Sequence, residues 1–207
     1  MPLDITPEDF LTPSQVQTLK EHCRRRAETS SSTAHANKSV RDWAILHVAL
    51  DSGLRVSEIC ALCVRDLILD GDPAVLVVRD GKGHKKRGVH LGAPLCRHLV
   101  DFLAWKEQVG QSAAPQAPLF VSSRSRGPLT RTAVFRIFKA EARAVGLPAR
   151  FSIHSCRHTY ASLLYRASKY NIRLVQKQLG HRSIQTTQIY ADVLNEDATV
   201  AVNNLPQ

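Results

Sequence analysis

Apolar positions along this chain recur with two different spacings, one helical and one of short extended runs. Thr12-Pro13-Ser14-Gln15 has the form of a helix start, with Thr12 placed to cap, Pro13 in the first turn and Gln15 closing a capping box. The spacing predicts a helix from there to about Arg26. Glu28 to Ser39 is rich in Ser, Thr, Ala and Asn and predicts a loop. Arg41 to Leu50 carries Trp43, Leu46, Val48 and Leu50, the pattern of a buried helix, which Gly53 would end. Val56 to Cys63 predicts a second, short helix. Further helices are predicted over Leu95 to Val109, Thr130 to Val145, Ser155 to Ser168, Leu174 to Leu179 and Ser183 to Tyr190. In the first of these Leu95, Leu99, Phe102 and Leu103 share a face.

The extended runs are fewer. Val75-Leu76-Val77-Val78 predicts a strand and Val89-His90-Leu91 its partner. Arg79 to Gly88 between them holds three glycines and several Lys and Arg, which predicts a β-hairpin with a basic tip. Leu119-Phe120-Val121 reads as a third short strand. The fold class expected is α+β, mainly helical, with a small antiparallel sheet bearing a lysine hairpin.

With 207 residues, 43% of them hydrophobic, the chain is long enough for one sizeable core. Lys and Arg number 28 against 18 Asp and Glu, a formal net charge of +10, which points toward a polyanion as partner. No apolar run is long enough to span a membrane. The first ten residues lack the basic-then-apolar plan of a signal peptide. The five cysteines are scattered, and Cys60 and Cys63 form a lone pair in a predicted helix, so they read as buried helical thiols rather than a zinc site. A cytoplasmic, nucleoid-associated protein is expected.

Several residues carry chemistry in combination. Arg55 follows a helix-ending Gly53, with Glu58 three residues on to hold its guanidinium. Lys82 lies between two glycines at the hairpin tip, without the spacing of a nucleotide-binding loop. His154 and Arg157 stand three apart at a helix start, where backbone N–H groups favour an anion. His158 adjoins Arg157 but is expected to point elsewhere on the helix, and is left out of the set. His181 sits in a turn between Gly180 and Ser183, and Tyr190 follows. Arg forks match phosphate oxygens and can balance the charge of a pentacoordinate phosphorane. A His can assist removal of the Tyr proton, and a Lys can protonate a departing 5′ oxygen. Tyr as nucleophile keeps the bond energy for religation. This is a parts list for phosphodiester cleavage without a metal or other cofactor.

The phrasing and order of these segments resemble the tyrosine recombinases of the phage-integrase type. Ser52-Gly53-Leu54-Arg55-Val56-Ser57-Glu58 resembles their first-arginine box, and Gly81-Lys82-Gly83-His84-Lys85-Lys86-Arg87 their hairpin lysine segment. His154-Ser155-Cys156-Arg157-His158-Thr159 resembles the His-x-x-Arg box. Leu179-Gly180-His181 and Thr186-Thr187-Gln188-Ile189-Tyr190 resemble the terminal histidine and nucleophile boxes. The match runs from about Phe10 to Tyr190. The resemblance implies that Arg55 and Arg157 clamp the scissile phosphate and Lys82 is the general acid. It implies that His154 bonds to or accepts a proton from a reacting group, His181 supports the transition state and Tyr190 is the nucleophile. Lys85, Lys86 and Arg87 are expected on DNA, with Lys85 and Lys86 as neighbouring candidates for the acid. The partners implied are double-stranded DNA with paired recombination sites and further copies of the chain, as a homo-oligomer expected to be a tetramer. The catalytic domain is expected over residues 13–190, after an extension of 1–12, with 191–207 as a tail whose Val193, Leu194, Val200, Val202 and Leu205 dock on a neighbouring protomer. Most members carry an N-terminal helical DNA-binding domain. A first helix at Pro13 leaves no room for one, as in an excised fragment or in the single-domain recombinases of the fimbrial inversion type. The alternative readings are a DNA-binding regulator, which would not need Tyr190, and a type IB topoisomerase-like enzyme.

Overall fold

In the computed structural model the described residues are 6–29, 33–79, 86–181 and 183–193. Eight α-helices, two short 3-10 helices (Pro7–Asp9 and Val64–Asp66) and one small sheet make up the regular elements among them. In chain order the α-helices and strands are α1 (Pro13–Thr29), α2 (Thr33–Ser52), α3 (Val56–Ala61), β1 (Leu67–Ile68), β2 (Val75–Arg79) and β3 (Lys86–His90). They continue with α4 (Ala93–Gln108), α5 (Arg131–Ala144), α6 (Ile153–Ala167), α7 (Ile172–Leu179) and α8 (Gln185–Val193). The fold class expected from the sequence is the one found.

Helix α2 is the axis of the core. Every residue from Arg41 to Leu50 is buried, which a helix tolerates only when other elements surround it. Here α1, α3, α4, α5 and α6 all pack on it. The buried charges are internally matched: the Arg41 guanidinium donates to Asp42 Oδ1 at 2.7 Å and to the Val121 carbonyl at 3.1 Å. The helix also begins earlier than expected, because residues 33–39 of the loop foreseen over 28–39 belong to α2, and residues 28 and 29 to α1. Packing of α1 along α2 overrides the low helix preference of this Ser- and Asn-containing segment, and Ser39 is itself buried. Thr12 and Gln15 form the capping box that starts α1, Thr12 N–H to Gln15 Oε1 at 2.9 Å and Gln15 N–H to Thr12 Oγ1 at 3.2 Å.

The sheet is antiparallel in the order β1-β2-β3, with Leu76 opposite Val89 and Val78 opposite Arg87. Leu76, Val78 and Val89 turn inward by the alternation of a half-buried sheet. Strand β1, of two residues, was not foreseen, since so short a piece shows no alternation. The strand expected at Leu119-Phe120-Val121 is instead a buried, irregular segment with isolated bridges Cys63 to Pro118 and Val121 to Pro128. Each bridge has a proline as one partner, Pro118 or Pro128, which denies the ladder a donor there. Strand β3 is one edge of the sheet, and α7 covers its end. The Gln178 side chain accepts from His90 N–H at 3.0 Å and donates to the His90 carbonyl at 3.1 Å, completing the ladder as another strand would.

Two hydrogen bonds join residues 8 and 11 to the rest of the chain. Leu11 N–H donates to Thr159 Oγ1 at 2.9 Å, and Arg150 Nε donates to the Glu8 carbonyl at 3.1 Å. Cys60 and Cys63 are half-buried rather than buried, and Cys63 lies past the end of α3. Among the described residues no helix is long and apolar enough to cross a membrane.

Candidate active site

Two helices that end on left-handed glycines build the floor of the site. Gly53 (φ 64°) closes α2 and Gly180 (φ 66°) closes α7. Neither position has room for a Cβ: at Gly53 it would meet the Tyr160 ring, at Gly180 the Arg87 side chain. Helix C-termini leave carbonyls without intrahelical partners and carry partial negative charge. Arg157, from the second turn of α6, answers both: Nη1 donates to the Gly53 carbonyl, and Nη2 donates to the Leu179 carbonyl at 3.0 Å. Nη2 also donates to His181 Nε2 at 2.8 Å. The guanidinium is therefore fixed by three of its five N–H donors, leaving Nε–H and one Nη1–H for an anion. Burial, with Arg55 nearby, lowers its pKa to about 10.

Arg55 stands at the N-cap of α3, its side chain 44% exposed. Glu58, one turn on, accepts its backbone N–H at 2.7 Å and its Nη1 at 3.0 Å. The same carboxylate takes a second guanidinium edge-on, Arg87 Nη1 at 2.8 Å and Nη2 at 2.9 Å. Burial works to raise the Glu58 pKa, but the Arg87 hydrogen bonds, the Arg55 N–H and the two positive charges outweigh it and hold the carboxyl below its ordinary range.

Tyr190 lies on α8 and is 2% exposed. Its hydroxyl is 3.0 Å from Nδ1 of His158, and Phe10 packs edge-on against both rings. The His181 ring lies nearly parallel to the phenol, at 11° and 6.4 Å between centroids. Since Arg157 donates to its Nε2, the neutral His181 ring carries its proton on Nδ1 and donates to Thr187 Oγ1 at 2.9 Å. Burial and the Arg157, Arg55 and Arg87 charges push the His181 pKa down to about 4. Burial raises the Tyr190 pKa, opposed by Arg157 and Arg55. The arrangement is a cationic cleft with a protonated phenol and two neutral imidazoles beside it, suited to binding and attacking an anionic centre.

Of the residues expected from the sequence, the structure brings Arg55, Arg157, His181 and Tyr190 together. His154 stands on the first turn of α6, exposed, and among the described residues its side chain makes no hydrogen bond to Tyr190 or Arg157. Lys82 and Lys85 lie outside the described residues. Lys86 opens β3 and is exposed. Arg87 is not a free surface cation, since its fork is occupied by Glu58 and its side chain crosses Gly180.

The phage integrase family model matches residues 9–197. The chain belongs to the phage integrase family. It is similar to a tyrosine recombinase of Pseudothermotoga lettingae, 35% identical over 199 residues, covering 96% of this chain and 61% of that relative. Tyrosine recombinase XerC of Pelobacter propionicus is 35% identical over 189 residues, covering 90% of this chain and 60% of the relative. This integrase-family chain thus spans about six-tenths of the length of these curated relatives. Among solved structures, XerA recombinase matches with a TM-score of 0.74 at 27% identity, over 96% of this chain and 66% of that one. XerH bound to a palindromic difH substrate matches in fold, with a TM-score of 0.75 at 22% identity, over 95% of this chain and 53% of that one.

Sequence reasoning missed one contact that matters and misplaced another. His158, expected to point away, bonds to Tyr190. The signal was present: residues 154, 157 and 158 stand at i, i+3 and i+4 and share one helix face. The Glu58–Arg87 fork joins residues 29 apart, and no local spacing announces such a pair.

Proposed function

We propose that this chain is the catalytic portion of a site-specific tyrosine recombinase. It breaks and rejoins DNA through a covalent 3′-phosphotyrosine at Tyr190, without a metal or high-energy cofactor. The observation that carries the reading is the sheltered Tyr190 hydroxyl, set among a hydrogen-bonded imidazole and the field of Arg55 and Arg157. In this reading Arg157 offers its two remaining N–H donors to the scissile phosphate, and Arg55, steadied by Glu58, offers its exposed end. Both stabilise the charge of the phosphorane, where it exceeds that of the ground state. His181, held by Arg157 and Thr187, supports the same oxygens. Lys82 protonates the departing 5′ oxygen, and His154 lies at the α6 N-terminus as a further donor to the phosphate. Lys85, Lys86 and the net charge of +10 supply the general attraction to the DNA backbone.

The recombining unit in this proposal is a tetramer on two paired sites in the nucleoid. Residues 191–207 of one copy dock on the next. A groove of about 790 Å³, walled by Tyr160, Leu163, Leu164 and Leu174, offers an apolar acceptor for the Val and Leu residues of that tail.

The test is adduct trapping. Labelled duplexes tiled across the DNA that flanks the gene, each nicked so that the 5′-hydroxyl fragment diffuses away, are incubated with the full chain and denatured. The wild-type chain is expected to give a protease-sensitive, denaturant-resistant band on the duplex that contains the site. Tyr190→Phe is expected to bind that duplex and give no band. Equal adduct yield from the variant would refute the assignment.

A further inference from the structure

We propose that His158 is the proton acceptor for the Tyr190 hydroxyl, an inference that rests on reading Tyr190 as the nucleophile. Tyr190 is 2% exposed, so bulk water is not at hand to take the phenolic proton, and a protein group must. Three histidines lie near enough to be considered. Both ring nitrogens of His181 are engaged, Nε2 by an Arg157 N–H and Nδ1 with Thr187. His154 is exposed and makes no hydrogen bond to Tyr190 among the described residues. His158 Nδ1 is 3.0 Å from the hydroxyl oxygen, within the reach a general base needs.

The direction of that bond follows from the surroundings. Burial keeps the proton on Tyr190, so its O–H donates. Burial, with His154 and Arg157 as positive neighbours, lowers the His158 pKa against the pull of Asp9, so the ring is neutral at physiological pH. Nδ1 then carries the free lone pair and Nε2 the proton. Phe10 fixes the pair, meeting the His158 ring at 85° and 6.4 Å and the Tyr190 ring at 65° and 6.3 Å. The step balances as follows. Tyr190 Oη attacks phosphorus while its O–H bond breaks and the proton passes to Nδ1. The Oη–P bond forms, the P–O5′ bond breaks, and O5′ takes a proton from the general acid. On religation the 5′-hydroxyl returns its proton to that acid, attacks phosphorus, and the His158 imidazolium gives its proton back to Tyr190.

Two variants separate proton acceptance from mere positioning. His158→Phe keeps an aromatic ring packed against Phe10 and Tyr190 but removes the acceptor. His158→Asn can still accept the hydrogen bond through its amide oxygen but is not basic. On the duplex that traps the wild-type chain, both are expected to slow cleavage by about 10²–10⁴-fold with DNA binding unchanged, and melting curves verify that each is folded. His158→Asn cutting within about threefold of wild type would overturn the proposal, since a non-basic acceptor would then suffice. Equal rates in all three proteins would overturn it too, while wild-type adducts would leave the recombinase reading standing. Failure of the wild-type chain to form any adduct would instead sink the recombinase reading, and this inference with it. A measurement without DNA guards against a variant that does not fold. In the full wild-type chain labelled with ¹⁵N-histidine, His158 is expected to show an unprotonated, hydrogen-bonded Nδ1 and a protonated Nε2. A proton on Nδ1 in the neutral ring would refute the proposal directly.

Discussion

Replacing Glu58 by Gln tests how the first arginine is held. The carboxylate takes four N–H donors: Oε1 accepts Arg55 Nη1 and Arg87 Nη1, while Oε2 accepts the Arg55 backbone and Arg87 Nη2. A glutamine keeps one oxygen and turns the other into a donor that faces two donors. The Glu58 and Arg87 side chains are 14% and 19% exposed, so water recovers part of the loss. Hydrogen bonds to charged groups are worth about 1.5–3 kcal/mol each, and breaking a fully buried pair costs about 3–5 kcal/mol. A loss of about 2–3 kcal/mol is expected, a fall in Tm of about 4–12 °C for a chain of this size. The sign with pH is set by the depressed Glu58 pKa. Such a carboxyl contributes stability that is fully present above its unfolded value, ordinarily 4.5, and is lost as pH falls through the lower folded value. The Tm gap between wild type and Glu58→Gln, followed by circular dichroism, should therefore be widest near neutral pH and close in acid. A gap under 1 °C at pH 7, or one that widens in acid, would refute the argument.

Three further outcomes are expected. Arg157→Lys should lose cleavage far more than DNA binding, because an ammonium cannot serve the Gly53 and Leu179 carbonyls, His181 and a phosphate together; equal losses in filter-binding and cleavage assays would reduce Arg157 to a surface contact. Lys82→Ala should slow cleavage by about 10²–10⁴-fold yet cut a substrate with sulfur at the bridging 5′ position nearly as fast as wild type. A deficit that persists on the sulfur substrate would move the acid to Lys85, Lys86 or a histidine. Deleting residues 192–207 should weaken assembly on paired sites more than cleavage of one site, as read by gel shift; unchanged assembly would mean the tail does not dock between copies.

The helices were legible because their ends are written in short-range chemistry. Thr12 with Gln15, Gly53 and Gly180 each act within a few residues, and a capping box or a left-handed glycine can be seen without knowing the fold. The run from Arg41 to Leu50 was legible as buried because apolar residues surround the helix. What was not legible depends on contacts between distant segments. Residues 33–39, expected as part of a loop, are helical because α1 lies alongside α2. The apolar triplet at Leu119 is not a strand because Pro118 precedes it and Pro128 lies across from Val121, so each bridge lacks a donor. In the site, residue types and order pointed to Arg55, Arg157, His181 and Tyr190, but not to how they are held. That Arg157 is oriented by two helix ends, that Arg87 props Glu58 instead of standing free, and that His158 rather than His154 touches the phenol all emerge only when α3, β3, α6, α7 and α8 converge.

The Gln178 amide at the end of β3 has a consequence for how copies of this chain can meet. An open sheet edge is a template for strand addition by any passing chain, including an identical one. At His90 both edge groups are already satisfied by a side chain from α7, so a second copy would have to displace an internal partner to extend the sheet there. Uncontrolled edge-to-edge stacking is discouraged at the point where the sheet turns into α4. Substituting Gln178 by an apolar residue of similar size would leave that template uncovered, and a tendency to form soluble aggregates at high concentration would be its signature in light scattering.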